Sequence, residues 1–146
     1  MCGIAGAFHP DALSPAAIGA VRKMQSALIH RGPDGEGWFQ SRRAVLAHRR
    51  LSIIDVDGGQ QPLRGESAGV VAVVNGEVYN YVELRRELLA RGARLRTQGD
   101  SEVVPWLYER DGANFVEALR GAYALALWDE DRQQLTLVRD RVGEKP

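Results

Sequence analysis

Apolar and polar positions along the chain follow the two-residue period of strands in some stretches and the 3.6-residue period of helices in others. The clearest strand is the continuous apolar run at residues 70–74, in which four of five residues are β-branched valines, as is typical of a strand buried on both faces. Other predicted strands are a first strand at residues 1–8, two strands paired around a turn at 41–43 (residues 38–40 and 44–48), a short strand at 94–97, and a hairpin formed by 123–128 and 135–139.

Helical periodicity and capping residues predict the helices. Ser14 is a suitable N-cap and Pro15 suits the first helical position. The face of this helix that we expect to be buried consists of Ile18, Val21, Met24, Ala27 and Leu28.

Three further helices are predicted in the second half of the chain. The first covers residues 81–91, with Leu84, Leu88 and Leu89 on one face and Gly92 following it as the C′ residue. The second runs through Tyr108 and starts near residue 103, and the third covers 115–119. Because several strands adjoin without crossover helices, the order favours an α+β fold with antiparallel sheets and helices layered outside them.

Glycine and proline mark the predicted loops. Residues 30–37 hold three glycines and a proline, which predicts a loop rather than the interior of an element. Asn75-Gly76 follows the buried strand and predicts a tight turn.

Composition narrows the class of protein. The 146 residues predict one domain, and 19 basic against 19 acidic side chains give no indication of a nucleic-acid or membrane-surface partner. The single cysteine excludes an internal disulfide and favours a reducing cytoplasm. Because residues 140–146 directly follow a strand-like run, we expect the sequence to be an incomplete piece of a longer protein.

That single cysteine, Cys2, directly follows Met1. Removal of Met1 would leave a residue that carries both a thiol nucleophile and an α-amine, and a terminal amine titrates near ~7.7–8.0. The amine could therefore take the thiol proton, which makes one residue both nucleophile and base. The alternative is an ordinary cysteine in a buried first strand.

Six blocks of sequence, in order along the chain, resemble the glutamine-hydrolysing domain of class II glutamine amidotransferases. The asparagine synthetase branch is the best match, because of Gln61-Pro62 and the closing residues 139–146. Each block alone is weak, but the ordered set is specific. The blocks are Cys2-Gly3-Ile4-Ala5-Gly6, residues 30–35, residues 48–55, Gln61-Pro62, residues 75–80 and Asp100-Ser101-Glu102.

The resemblance implies a four-layer αββα N-terminal-nucleophile sandwich over residues 1–146. It implies that Cys2 attacks the side-chain amide of glutamine and forms a γ-glutamyl thioester, with its own α-amine as base. The side chain of Asn75 and the backbone N–H of Gly76 would form the oxyanion hole. Taken alone, Asn75-Gly76 is better explained by a simple turn.

The resemblance also implies a clamp for the amino-acid end of glutamine. Arg50 would hold the α-carboxylate, since a guanidinium pairs bidentately with a carboxylate. Asp100 would hold the α-ammonium, with Glu77 nearby, and the backbone of Leu51 and Ile53 would add contacts. The residues alone also allow Arg50 to be a solvated charge and Asp100 to be a helix N-cap.

The implied activity is hydrolysis of L-glutamine to glutamate and ammonia, with ammonia supplied to an ATP-dependent synthetase domain that this sequence lacks. We expect no metal or cofactor in the present residues, with ATP and Mg needed only by the synthetase domain. Partners would be glutamine and that domain, without nucleic acid or membrane, and a homodimer is left open. Two alternatives are a non-catalytic binding or regulatory fragment and an unrelated thiol hydrolase with His30 or His48 as base.

Overall fold

The computed structural model describes residues 2–146, and within them seven strands and four α-helices are formed. The strands are β1 (Gly3–Phe8), β2 (Gly35–Gln40), β3 (Ala44–Arg50), β4 (Leu63–Arg64), β5 (Val70–Val78), β6 (Gly121–Asp129) and β7 (Gln134–Arg139). The helices are α1 (Pro15–Ala27), α2 (Tyr81–Ala90), α3 (Val103–Asp111) and α4 (Phe115–Ala118), with short 3₁₀ turns at Leu28–His30 and Gly112–Asn114.

The strands form two antiparallel sheets. The first sheet has the order β1-β3-β2, and its register pairs Gly3 with Arg49 and Gly35 with Arg50. The second has the order β4-β5-β6-β7, with the nine residues of β5 paired along β6. The predicted α+β class with antiparallel sheets is confirmed.

Three apolar clusters define four layers. Helix α1 packs on the first sheet around Val21, Val45 and Ala47. The two sheets face each other through a second cluster that includes Leu46, Val73 and Trp128. The largest cluster lies between the second sheet and helices α2, α3 and α4. The layer order is therefore helix, sheet, sheet, helices, which is the predicted αββα arrangement.

The start of α1 agrees with the sequence, whereas its buried face agrees only in part: Val21 is in the core and Ile18 packs against it. The Ser14 hydroxyl accepts a 3.2 Å hydrogen bond from the amide of Ala17, as expected of an N-cap. The buried residues of α1 are Val21 and Gln25, whereas Met24 is 50% exposed. Gln25 is buried because its Nε2 donates to the carbonyl oxygens of Gly37 and His48, which satisfies a polar group that apolar periodicity cannot anticipate.

The predicted turn at Asn75-Gly76 is wrong. Strand β5 continues through both residues to Val78, and Gly76 is paired with Tyr123 of β6. Gly76 has φ +145°, and a Cβ at this position would overlap the carbonyl oxygen of Ala122. The glycine is therefore required for close strand pairing rather than for a chain reversal.

Smaller differences concern element boundaries. Strand β2 begins at Gly35, inside the predicted loop of residues 30–37, and residues 94–97 form no strand. Strand β4 was not predicted, because two residues are too short to show a period. On α2 the predicted Leu84 and Leu88 are buried, but Leu89 is 52% exposed.

Candidate active site

One cavity of about 260 Å³ opens where the ends of the two sheets meet. Its volume suits a small metabolite rather than a macromolecule. All eight site residues that the resemblance implied line it: Cys2, Arg50, Leu51, Ile53, Asn75, Gly76, Glu77 and Asp100.

Cys2 is half-buried directly before β1 and is held from two sides. The amide of Leu51 lies 3.4 Å from Sγ in donor geometry, and the Leu51 carbonyl oxygen lies 3.7 Å from Sγ. Arg31 donates a 3.1 Å hydrogen bond from Nε to the carbonyl oxygen of Cys2. The sulfur atom is thus fixed against the loop after β3, and Cys2 forms part of the cavity wall. Met1, and with it the question of a free α-amine, lies outside the described residues.

Asn75 reaches the cavity from β5. The side chain is 3% exposed, and within residues 2–146 its Oδ1 has no hydrogen-bond partner. A half-turn of the amide would exchange Oδ1 for the Nδ2 donor. Because an unpaired buried amide is costly to a fold, its position at a cavity indicates a ligand group as the missing partner.

Arg50 ends β3 with a guanidinium that is almost fully buried. Nη1 donates to the carbonyl oxygen of Val56 at 2.9 Å, and Nη2 donates to the carbonyl oxygens of Ile54 and Asp55. The side chain is 4% exposed, so it is not the solvated charge that the sequence alone allowed. Its contacts fix the loop after β3 around a buried positive charge.

Asp100 lies across the cavity and is also buried. One carboxylate oxygen accepts a 2.7 Å hydrogen bond from the amide of Val78, and the other accepts a 3.3 Å hydrogen bond from the Ser101 hydroxyl. The N-cap position of α3 is occupied by Glu102, not by Asp100. Arg50 and Asp100 therefore place opposite charges on one cavity, an arrangement that suits a zwitterionic amino acid.

The remaining predicted residues lie nearer the opening. Glu77 is exposed, and Ile53 is 63% exposed at the rim. Leu51 contributes through its backbone, whose amide and carbonyl both face the sulfur of Cys2.

Neither histidine proposed as a base is bonded to the thiol. His30 is exposed, and its Nδ1 is 2.9 Å from the carbonyl oxygen of Ala27. His48 is buried, and its Nε2 is 3.2 Å from the carbonyl oxygen of Val74. Burial lowers the pKa of His48 to about 4, which the nearby charge of Arg50 reinforces and the bond to Val74 opposes. The thiol hydrolase alternative therefore lacks the contact that it requires.

Several cavity residues were missed by the sequence analysis. Gln61 lines the wall beside β5, and Glu144 and Lys145 reach the cavity from the last turn. Glu102 accepts hydrogen bonds from the amides of Arg96 and Thr97 and so shapes the wall before α3. The Gln61-Pro62 pair was one of the blocks on which the resemblance rested, but no role was assigned to Gln61.

Residues 2–146 hold no group of three or more His, Cys, Asp or Glu side chains arranged to bind a metal ion. No helix among these residues combines the length and the apolar character needed to cross a membrane.

Comparison with known proteins gives consistent results. The family profile described as "Glutamine amidotransferase domain" matches residues 1–146. "Asparagine synthetase [glutamine-hydrolyzing] 2" of Bacillus subtilis is 39% identical over 148 residues, which cover 100% of this chain and 20% of that protein. "Amidase chry2" of Gibberella zeae is 43% identical, covering 99% of this chain and 23% of that protein.

Among solved structures, the glutamine phosphoribosylpyrophosphate amidotransferase of B. subtilis has a TM-score of 0.75 at 22% identity. The match covers 96% of this chain and 37% of that one, and it confirms the fold. The chain spans about a fifth to a quarter of the length of the curated relatives that it matches. With a family profile over its full length, the chain belongs to the glutamine amidotransferase domain family.

Proposed function

We propose that this chain hydrolyses the side-chain amide of L-glutamine to glutamate and ammonia through a thioester on Cys2. The observation that carries the proposal is the meeting of three features at one cavity of about 260 Å³: a thiol, an Asn75 Oδ1 without a hydrogen-bond partner within residues 2–146, and two opposite buried charges. Family membership and the glutamine-hydrolysing relatives support the same reaction.

The first half-reaction forms the thioester. Sγ of Cys2 bonds to the side-chain carbonyl carbon of glutamine while its proton passes to the α-amine that removal of Met1 exposes. The carbonyl oxygen becomes an oxyanion, which the Asn75 side-chain amide and the Gly76 N–H stabilise. Loss of one such donor typically costs about 10²–10³ in rate. Collapse of the tetrahedral species breaks the C–N bond, and the α-amine returns its proton to the leaving ammonia.

The second half-reaction restores the thiol. The α-amine takes a proton from water, and the resulting hydroxide adds to the thioester carbonyl at the same oxyanion hole. The C–S bond then breaks, glutamate leaves, and the sulfur regains its proton. No redox or metal step is needed for this balance.

Selectivity for a free amino acid comes from the clamp. Arg50 pairs with the α-carboxylate and Asp100 with the α-ammonium, while Glu77 adds negative charge near the opening. Simple amides lack both charges and lose both contacts.

The names of the relatives suggest where the ammonia goes. Asparagine synthetases that hydrolyse glutamine match this chain over about a fifth of their length. We therefore expect a synthetase domain, with its own ATP and Mg requirement, to consume the ammonia, and we expect the protein to act in the cytoplasm. The relative named as an amidase leaves the acceptor carboxylate open.

The test is ammonia release from glutamine by the purified protein, with intact-mass measurement of the N-terminus. We expect Met1 to be absent, Cys2 to be labelled by a glutamine-like electrophile, and Cys2→Ala to abolish both labelling and hydrolysis. Retained Met1 together with an unlabelled Cys2 would overturn the proposal and favour the non-catalytic fragment.

A further inference from the structure

The backbone of Val74 is held by two side chains from outside its own strand. Gln61 forms two hydrogen bonds with it: the Val74 amide donates to Oε1 at 2.7 Å, and Nε2 donates to the Val74 carbonyl oxygen at 3.1 Å. The same carbonyl oxygen lies 3.2 Å from Nε2 of His48. Val74 immediately precedes Asn75, so these contacts act one residue from the proposed oxyanion hole.

Gln61 takes the place of a missing strand partner. Strand β4 pairs Leu63 with Ala72 and Arg64 with Val71, and the same register extended by two residues would oppose Gln61 and Val74. The main chain of Gln61 instead lies close to the first sheet. This closeness is seen at Gly37 of β2, where an added Cβ would overlap the carbonyl oxygen of Gln61. The side-chain amide has the same donor and acceptor as a peptide group, and it completes the ladder.

His48 links the same carbonyl to β3, the strand that pairs with β1 next to the nucleophile. It is 1% exposed on β3, where it pairs with Ile4, two residues after Cys2. Because a carbonyl oxygen only accepts, Nε2 of His48 must carry the proton of this hydrogen bond. One hydrogen bond thus crosses from the nucleophile's sheet to the strand of Asn75.

We propose that Gln61 and His48 are positioning residues that hold Asn75 and Gly76 at the correct distance from Cys2. This inference rests on the proposed function. The Oδ1 atom of Asn75 has no hydrogen-bond partner within residues 2–146, so the backbone around Val74 sets where the side chain lies. Oxyanion donors act at 2.7–3.1 Å, and a misplacement of about 1 Å can cost about 100-fold in rate.

Gln61→Glu removes the donor and adds one negative charge. The carboxylate retains an acceptor for the Val74 amide but has no N–H for the Val74 carbonyl oxygen. We expect kcat for glutamine hydrolysis to fall about 10- to 100-fold, with KM changed less than about threefold because both polar atoms of Gln61 are already used by Val74. Gln134→Glu, an exposed change of the same chemistry on β7, should leave both values unchanged.

A second variant and a second readout separate positioning from loss of the fold. Gln61→Asn keeps the amide but shortens its reach, and it should also lower kcat. Alkylation of Cys2 by iodoacetamide needs no oxyanion hole, so its rate should stay at the parent value in both variants. A fall in the alkylation rate that matches the fall in kcat would overturn the inference in favour of general disruption.

Variants of His48 give an independent test of the inference. We expect His48→Ala to lower kcat, and the double variant with Gln61→Glu to lose less than the product of the two single losses, because both side chains serve one carbonyl oxygen. A raised KM with unchanged kcat in the Gln61 variants would overturn the inference by making Gln61 a substrate contact. An inactive parent protein, by contrast, would overturn the proposed function and with it this role.

Discussion

Nη1 of Arg50 donates a 2.9 Å hydrogen bond to the carbonyl oxygen of Val56. Nη2 donates to two further carbonyl oxygens of the same loop, those of Ile54 and Asp55. Three of the five N–H groups of the guanidinium are therefore used to hold the loop. A substrate carboxylate can therefore bind only the remaining N–H groups of a guanidinium that also holds the loop.

Replacement of Arg50 should therefore act on substrate binding. In Arg50→Lys the planar fork is lost, and one ammonium cannot serve both the loop and a carboxylate. We expect the KM for glutamine to rise about tenfold or more, since hydrogen bonds to charged groups contribute about 1.5–3 kcal/mol, with a smaller change in kcat. Steady-state ammonia release measures both values.

Arg49→Lys is the matched control. Arg49 adjoins Arg50, but it pairs with Glu36 at 3.2 Å and donates to the carbonyl oxygen of Gln25. Its KM should equal that of the parent. Equal KM values in both variants would remove Arg50 from the carboxylate site.

Asp100→Asn removes the opposite charge with little change of shape. Asparagine retains an oxygen for the amide of Val78, so the fold should persist. We expect the KM for glutamine to rise about tenfold or more through loss of the charge-assisted contact to the α-ammonium. Asp111→Asn, at the end of α3 outside the cavity, should leave KM unchanged. An unchanged KM in Asp100→Asn would assign the ammonium to another group.

Gly76→Ala should destabilise the protein. At φ +145° an alanine is strained, and its Cβ would overlap the carbonyl oxygen of Ala122. We expect the free energy of unfolding to fall by about 2 kcal/mol or more, measured by urea denaturation. Gly19→Ala, where the added Cβ meets nothing within 4 Å in α1, should instead stabilise by about 1 kcal/mol. Equal effects of both changes would refute the close-pairing argument.

The fold was largely predictable because its core strands and helices carry clear periods. The β-branched start of β5 and the Ser14 cap of α1 are local signals, and both are confirmed. The turn expected at Asn75-Gly76 failed because pairing with β6 overrides a local turn preference. The turn preference of two adjacent residues carries no information about a strand that pairs with them from elsewhere in the sequence.

The site could be predicted only through the resemblance. Each of Cys2, Arg50, Asn75 and Asp100 lies about 25 to 50 residues from the next, and only the assembled sheets bring them to one cavity. The structure places all four in the lining of that cavity, and their roles stay predictions. Gln61 was missed as a structural group because its side chain replaces a backbone partner, and no spacing rule describes that substitution.

Buried His48 predicts how stability depends on pH. Its pKa is about 4 in the folded protein, chiefly because burial disfavours the imidazolium, against an unfolded value of 6.5. Between these values the unfolded chain binds a proton that the folded chain does not, so stability falls as pH falls from 6.5 towards 4. The loss from this group should reach about 3 kcal/mol at pH 4.

Urea denaturation of the parent protein and His48→Gln at pH 7 and pH 4.5 measures this contribution. Carboxylates titrate in the same window, but they are common to both proteins, so the difference between the two pH-dependent losses isolates His48. We expect the parent to lose about 2–3 kcal/mol more than the variant. His30→Gln, which removes an exposed histidine, should lose as much as the parent. If His48→Gln loses as much unfolding free energy as the parent between pH 7 and pH 4.5, then His48 becomes protonated in the folded protein as readily as in the unfolded chain. Its Nδ1 must then donate to an acceptor that stabilises the charge.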